Sequence, residues 1–282
     1  MTGVVMMAVT AVLFSCMALF VRLAAEEIPV GMIVFVRYVL STAFVVLLAL
    51  SGKFPVKPVN MPLQLLRGIT AALGAVFYFY ALAKITIAEA VILKYTYPVF
   101  AVVFAAVFYR EKTDRSVLLL IATSIIGVAI MMNPSALTPN VGYVFGFLNG
   151  FTAGAAVAVL RKLRETDDSN TTMFFTSLIG MIVTLPLLLR DMVMPSPMGF
   201  VLLILAAVAG IAAQFSLVFG FKYIKTGSAS VVMALEVVGT SMLGFIVLGH
   251  TPGVSTLIGG TLIVAGGVLL AAKERRAAVL AG

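Results

Sequence analysis

The 22 residues AEAVILKYTYPVFAVVFAAVFY, Ala88 to Tyr109, decide how this chain is read. The run is long enough to cross a bilayer, which takes about 20 apolar residues in a helix. Most of it is what lipid accepts. Yet Lys94 sits well inside it, with Tyr95, Tyr97 and Pro98 beside it. A soluble core has no reason to keep such a run, and a purely lipid-facing helix has no reason to keep that lysine.

The rest of the chain agrees with the first half of that statement. Of 282 residues, 62% are hydrophobic and only 11% charged, against about 25% charged in soluble domains. Mean hydropathy is +1.17. The sequence is that of an all-α integral membrane protein. Its formal charge of +8 reflects membrane loops rather than a nucleic-acid partner. The lone Cys16 can form no intrachain disulfide and reads as a small packing residue. No basic segment precedes the first apolar run, which is therefore read as a retained span rather than a removable signal.

Breaks at charged and Pro/Gly clusters divide the chain into ten expected spans. They cover about 3–24, 31–51, 62–82, 88–109, 115–132, 140–162, 170–189, 198–221, 227–249 and 254–272. With the amino terminus inside, 14 of the 19 Lys and Arg residues fall on the inner side and 3 on the outer, while Arg37 and Lys94 lie within spans. That asymmetry is the positive-inside signature, and it predicts both termini in the cytoplasm. The expected location is the cytoplasmic (inner) membrane of a prokaryote.

A shift of 139 residues brings the two halves into register. Gly3 falls on Gly142, Arg22 on Arg161, Glu26 on Glu165, Pro58 on Pro197, Ala90 on Ala229 and Gly127 on Gly266. Span ends and loop breaks coincide as well. The expected units are residues 1–138 and 139–282, with five helices each. Five is odd, so the second unit enters the membrane from the opposite side. Such inverted repeats are a transporter architecture with the solute site near the midplane.

These features resemble the drug/metabolite transporter superfamily, EamA family. The resemblance rests on Arg67-Gly68, Tyr78-Phe79-Tyr80-Ala81-Leu82, Ile87-Ala88-Glu89-Ala90, Tyr97-Pro98-Val99-Phe100 and Glu111. Phe219-Gly220-Phe221, Gly227-Ser228-Ala229-Ser230 and a glycine-rich last helix echo it in the second half. The match runs through essentially the whole chain. In the second half Val237 stands at the position of Pro98, and His250 at that of Glu111. The resemblance implies ten helices and the movement of small organic solutes. It also implies a cavity lined by spans 1–4 and 6–9, with spans 5 and 10 peripheral.

Charges inside a span cost roughly 2.5–3.5 kcal/mol on insertion scales, so they default to function unless they reach the interface. Lys94 is about 9 Å below the outer end of its span, at 1.5 Å per residue. It either faces a cavity or snorkels. Pro98 deprives the Lys94 carbonyl of its helical partner, and Tyr97 shares its face. Glu236 is too short to reach water from mid-span. It faces a cavity, carries a coupling proton or pairs with a cation; the repeat shift places it at the position of Tyr97, one turn from Lys94. Arg37 is suited to bidentate binding of a carboxylate or phosphate, to a salt bridge with Glu26 or Glu27, or to snorkelling. Tyr78 could cage a cation, whereas Tyr80 fits the interfacial belt. Gln214 and Asn149 are polar mid-span residues, either cavity ligands or interhelical hydrogen-bonding groups. Gly142, Gly146, Gly150 and Gly154 form a stripe that lets another helix approach.

No P-loop, HExxH or GxSxG motif occurs. Neither an enzyme nor a cofactor is expected. The predicted function is a secondary transporter or exchanger of a small polar metabolite, with an amino acid or other zwitterion first and an organic anion beside it. The alternatives are a lipid or lipid-linked head-group translocator and a non-transporting membrane subunit. Expected partners are the small solute, membrane lipid and a coupling proton or counter-substrate, in a monomer or homodimer.

Overall fold

Within lipid a backbone must satisfy its own hydrogen bonds, and helix does so locally. The computed structural model describes residues 2–52, 55–109, 115–132, 140–220, 223, 232, 233 and 235–280. Among the described residues every regular element is an α-helix. In chain order these are α1 (Thr2–Ala24), α2 (Val30–Leu50), α3 (Met61–Lys84), α4 (Ile87–Lys94), α5 (Tyr97–Tyr109) and α6 (Arg115–Met132). They continue with α7 (Val141–Leu163), α8 (Ser169–Arg190), α9 (Pro197–Gly220), α10 (Leu235–Leu248) and α11 (Val254–Leu280).

Side chains start several of these helices by occupying free N–H groups. Asn60 accepts from the Leu63 N–H at α3, and Asp168 accepts from the Thr171 N–H at α8. Thr86 and Glu89 form a reciprocal capping box at α4.

Seven described stretches are long and apolar enough to cross a membrane: Thr2–Ala24, Val30–Leu50, Met61–Lys84, Ile87–Phe108, Val141–Leu163, Ser169–Arg190 and Pro197–Gly220. Three shorter apolar helices, Ala122–Met131, Leu235–Leu248 and Val254–Gly266, fall where the remaining spans are expected. Glu111, Phe221, the segment Gly227–Ser230 and the boundary at 138/139 lie outside the described residues.

The stretch that opened the reading differs from expectation in one respect. Residues 88–109 do not form a single helix; α4 ends at Lys94 and α5 begins at Tyr97. Pro98 has no N–H to give the Lys94 carbonyl, so the ladder cannot continue. The chain compensates locally. The Thr96 N–H and hydroxyl both bond the Leu93 carbonyl, at 3.1 and 2.7 Å. The Val99 and Phe100 N–H groups then restart on the Thr96 carbonyl.

The α7 glycine stripe is the surface against which this broken span packs. A Cβ on Gly146 would lie 2.5 Å from Leu93, one on Gly150 1.8 Å from the Thr96 hydroxyl, and one on Gly154 2.4 Å from Phe100. The stripe is therefore a packing surface. Elsewhere α1 packs on α9, α3 on α7, α2 on α8, α6 on α11, α4 and α5 on α7, and α10 on α1. The 139-residue shift converts each of these contacts into itself or into another of the set.

A strap at the end that holds Thr2, Met61 and Ser169 joins α3 to the α7–α8 loop. The buried Asp167 carboxylate accepts from the N–H groups of Val59 and Asn60, from Gln64 Nε2 and from the Thr166 hydroxyl. Burial pushes its pKa up, but these four donors outweigh burial and hold it below the ordinary carboxylate value. A depressed folded pKa stabilises above the unfolded pKa, near 4, and that stabilisation is lost as pH falls through the folded value. Asp167→Ala leaves several buried donors unpaired. It is expected to cost about 1–3 kcal/mol, read as a lower unfolding midpoint at pH 7. The gap from wild type should narrow below about pH 4; a constant gap down to acid would contradict the assignment.

Candidate functional site

The break between α4 and α5 presents Lys94 at the end of a short helix, aimed at the first turn of α10. Lys94 Nζ lies 2.5 Å from Glu236 Oε1, and Glu236 has no exposed surface. The Tyr95 hydroxyl donates to the Met233 carbonyl and lies 3.4 Å from Glu236 Oε2. The ammonium also faces three rings: Phe14 at 5.0 Å, Tyr78 at 5.1 Å and Tyr95 at 5.8 Å from their centroids. These rings and one carboxylate offset the cost of a cation in lipid. The Ser15 and Thr240 hydroxyls both donate to the Glu236 carbonyl, which fixes that turn of α10 against α1.

Lys94 is also on the wall of a cavity of about 280 Å³. The cavity's walls include Phe14 and Met17 on α1, Arg37 and Tyr38 on α2, Arg67 and Tyr78 on α3, Asn149 on α7, Thr176 on α8, and Gly210 and Gln214 on α9. It reaches Arg164, an exposed residue at the end of the bundle that carries the Asp167 strap. Around the opposite end, polar contacts hold the helices together. Arg22 donates to the carbonyls of Leu82 and Ala83. Glu89 accepts from Tyr143 on α7 and Thr256 on α11, both at 2.9 Å.

Of the residues singled out by sequence, Lys94, Arg37, Tyr78, Gln214 and Asn149 line this cavity. Glu236 touches it only through Lys94, and Tyr97 is not among its lining residues. Arg37 makes no salt bridge with Glu26 or Glu27. Its guanidinium lies beside the rings of Tyr38 and Phe79, at 5.5 and 5.6 Å, while Glu27 accepts from the Ser196 hydroxyl. Room for Arg37 comes from Gly210, where a Cβ would stand 3.0 Å from Arg37 Nε. Asn149 Nδ2 donates to the Gly74 carbonyl at 2.8 Å, while its Oδ1 has no partner.

Two lining cations were assigned by sequence to the inner loops: Arg67 and Arg164. The signal for Arg67 was available, since it lies six residues into α3 within an apolar run. For Arg164, just past the end of α7, there was none. Four lining residues carry a buried polar atom that lacks a hydrogen-bond partner: Arg67 Nε, the Tyr78 hydroxyl, Asn149 Oδ1 and Thr176 Oγ1. Buried polar atoms are normally satisfied, so this cluster marks a place where a polar solute fits. Among the described residues the lining thus holds Arg37, Arg67, Lys94 and Arg164 and no acidic residue.

The sequence profile of the EamA-like transporter family matches residues 1–133 and again 140–272. The chain belongs to the EamA-like transporter family. Among its relatives, the pseudopaline exporter CntI of Pseudomonas aeruginosa is 28% identical over 97% of each chain. An S-adenosylmethionine uptake transporter of Rickettsia felis is 20% identical over 80% of this chain and 77% of its own. A solved crystal structure, 18% identical, superimposes with a TM-score of 0.60 over 95% of this chain and 98% of that one, so the fold is shared. This EamA-like protein is an integral membrane protein of the inner-membrane type, and its family and relatives point to a small-molecule transporter.

Proposed function

We propose that this EamA-like protein is a secondary transporter of small organic anions, including zwitterions with surplus negative charge, that works by alternating access. The carrying observation is the imbalance of charge: among the described residues four cations and no carboxylate line one cavity, and Glu236, which meets the cavity at Lys94, is paired with it. An amine has no free carboxylate to meet there, so the zwitterion ranked first by sequence moves behind the anion.

In this reading residues 1–138 and 139–282 are the two inverted units, and α6 and α11 are peripheral. Both termini are cytoplasmic, and the cavity opens to the cytoplasm. The exchange of helix contacts under the repeat shift supports two equivalent units that rock against each other. A substrate carboxylate competes with Glu236 for Lys94. Glu236, once released, takes up a proton, which makes it the coupling candidate.

The test is flux into or out of proteoliposomes across a panel of labelled anions, zwitterions and cations. Anions are expected to move. Arg37→Gln should reduce their flux by about 10- to 100-fold, the equivalent of one charged hydrogen bond of ~1.5–3 kcal/mol. Transport of organic cations with no anion flux would overturn the assignment.

A further inference from the structure

The polar residues of the cavity lie at two depths. On α3, Arg67 precedes Tyr78 by eleven residues; Asn149 on α7 precedes Arg164, the residue that caps its end, by fifteen. At 1.5 Å per residue these separations are about 16 and 22 Å along the helices. One level holds Arg37, Lys94, Tyr78 and Asn149. The other holds Arg67, Arg164 and Thr176. A single carboxylate cannot serve both.

Among the described residues the second level has no counter-ion of its own. Arg67 and Arg164 both line this end of the cavity. Like charges facing one space call for an anion between them. Three carboxylates are near in sequence, and each is committed elsewhere. Glu165 binds Lys162 at 2.6 Å. Asp167 binds the α3 strap. Asp168 caps α8 through its side chain. Arg67 Nε and Thr176 Oγ1 are buried without partners on the same wall.

We infer that the cavity contains a second anion subsite, built by Arg67, Arg164 and Thr176, and that the substrate is dianionic, with its anionic groups held apart by a spacer. This rests on the anion-transport reading and adds to it the second charge. A dianion would be drawn in at Arg164 and held at both levels. Arg67 and Arg164 would therefore set preference for doubly charged substrates, while the deeper level binds either kind.

The test is binding to the purified full-length protein in phosphatidylcholine nanodiscs, read by thermal shift and calorimetry. Suberate and sebacate, long enough to reach from one level to the other, are compared with octanoate and decanoate, which match them in carbon number. The dianions are expected to bind at least about tenfold more tightly, the worth of one charge-assisted hydrogen bond. Arg164→Gln, at an exposed position, and Arg67→Gln should each weaken the dianions by more than the monoanions and so close most of the gap between them. Arg67→Lys, with its charge kept, should retain part of the preference. Each variant's unliganded unfolding midpoint reports on its fold.

Equal affinity for monoanions and dianions in the wild type would overturn the second subsite and leave the anion reading standing. Absence of any anion binding would remove both. A dianion preference abolished by phosphatidylglycerol in the nanodisc would make the arginine pair a lipid contact, and the substrate assignment would fall.

Discussion

Glu236→Gln is expected to abolish transport and to lower the stability of the protein as well. The substitution leaves the Lys94 ammonium among Phe14, Tyr78 and Tyr95 without its counter-charge. Removing one partner of a buried pair costs about 3–5 kcal/mol. The Lys94 side chain keeps 19% exposure toward the cavity, so the lower end of that range is expected. Lys94→Met should cost a similar amount, because it strands a carboxylate that has no exposed surface. The double variant Lys94→Met/Glu236→Leu should recover most of the lost stability, since apolar replacements of buried pairs are often neutral. It should recover none of the flux. Unfolding midpoints in detergent and proteoliposome flux measure the two effects separately. Full flux in Glu236→Gln would make the pair a structural pin and end its role in coupling. The sequence alone predicts loss of binding with an intact fold; the complete burial of Glu236 adds the stability cost.

The second large effect is expected at Gly150. Its missing Cβ lets α7 approach the α4–α5 break so closely that an added methyl would stand 1.8 Å from the Thr96 hydroxyl and 3.1 Å from the Leu93 carbonyl. Gly150→Leu should yield no folded protein. Gly150→Ala should cost about 1–3 kcal/mol, as overpacked sites do. Thr96→Ala alone removes the hydroxyl bond to Leu93 and should cost about 1 kcal/mol. Combined with Gly150→Ala it should cost less than the sum, because the clashing oxygen is gone. A double-mutant cycle on unfolding free energies reads that coupling. Wild-type stability in Gly150→Leu would show that the helices do not meet as described.

Much of this was legible beforehand. The apolar runs placed the spans, because a bilayer demands about 20 residues of helix wherever it is crossed. Lys94, Glu236 and Arg37 stood out because a charge in lipid must have a reason. The glycine stripe at every fourth residue announced a close contact, although its partner could not be named. The break at Tyr95 and Thr96 was half visible. Pro98 marked a weak point, but a proline can kink a helix or end it, and the packing of Thr96 onto Gly150 decided between them.

What the sequence did not reveal is which charges share a space. Arg67 and Arg164 lie near helix ends, where an arginine ordinarily reaches the head-group region, so a one-dimensional reading counts them as loop cations. For Glu236 the sequence left both a substrate amine and a pairing cation open, until the fold brought Lys94 against it. Tyr97, one turn from Lys94, looked like a cavity residue, but the helix ends between them and does not carry their faces along together. By itself the sequence determined that the chain crosses a membrane many times, repeats itself and carries charge within its spans. The tertiary structure decided which charges are neutralised and which are left for a solute. The physical reason is that hydropathy depends on residue order along one axis, whereas pairing across a cavity depends on how several helices are rotated and docked.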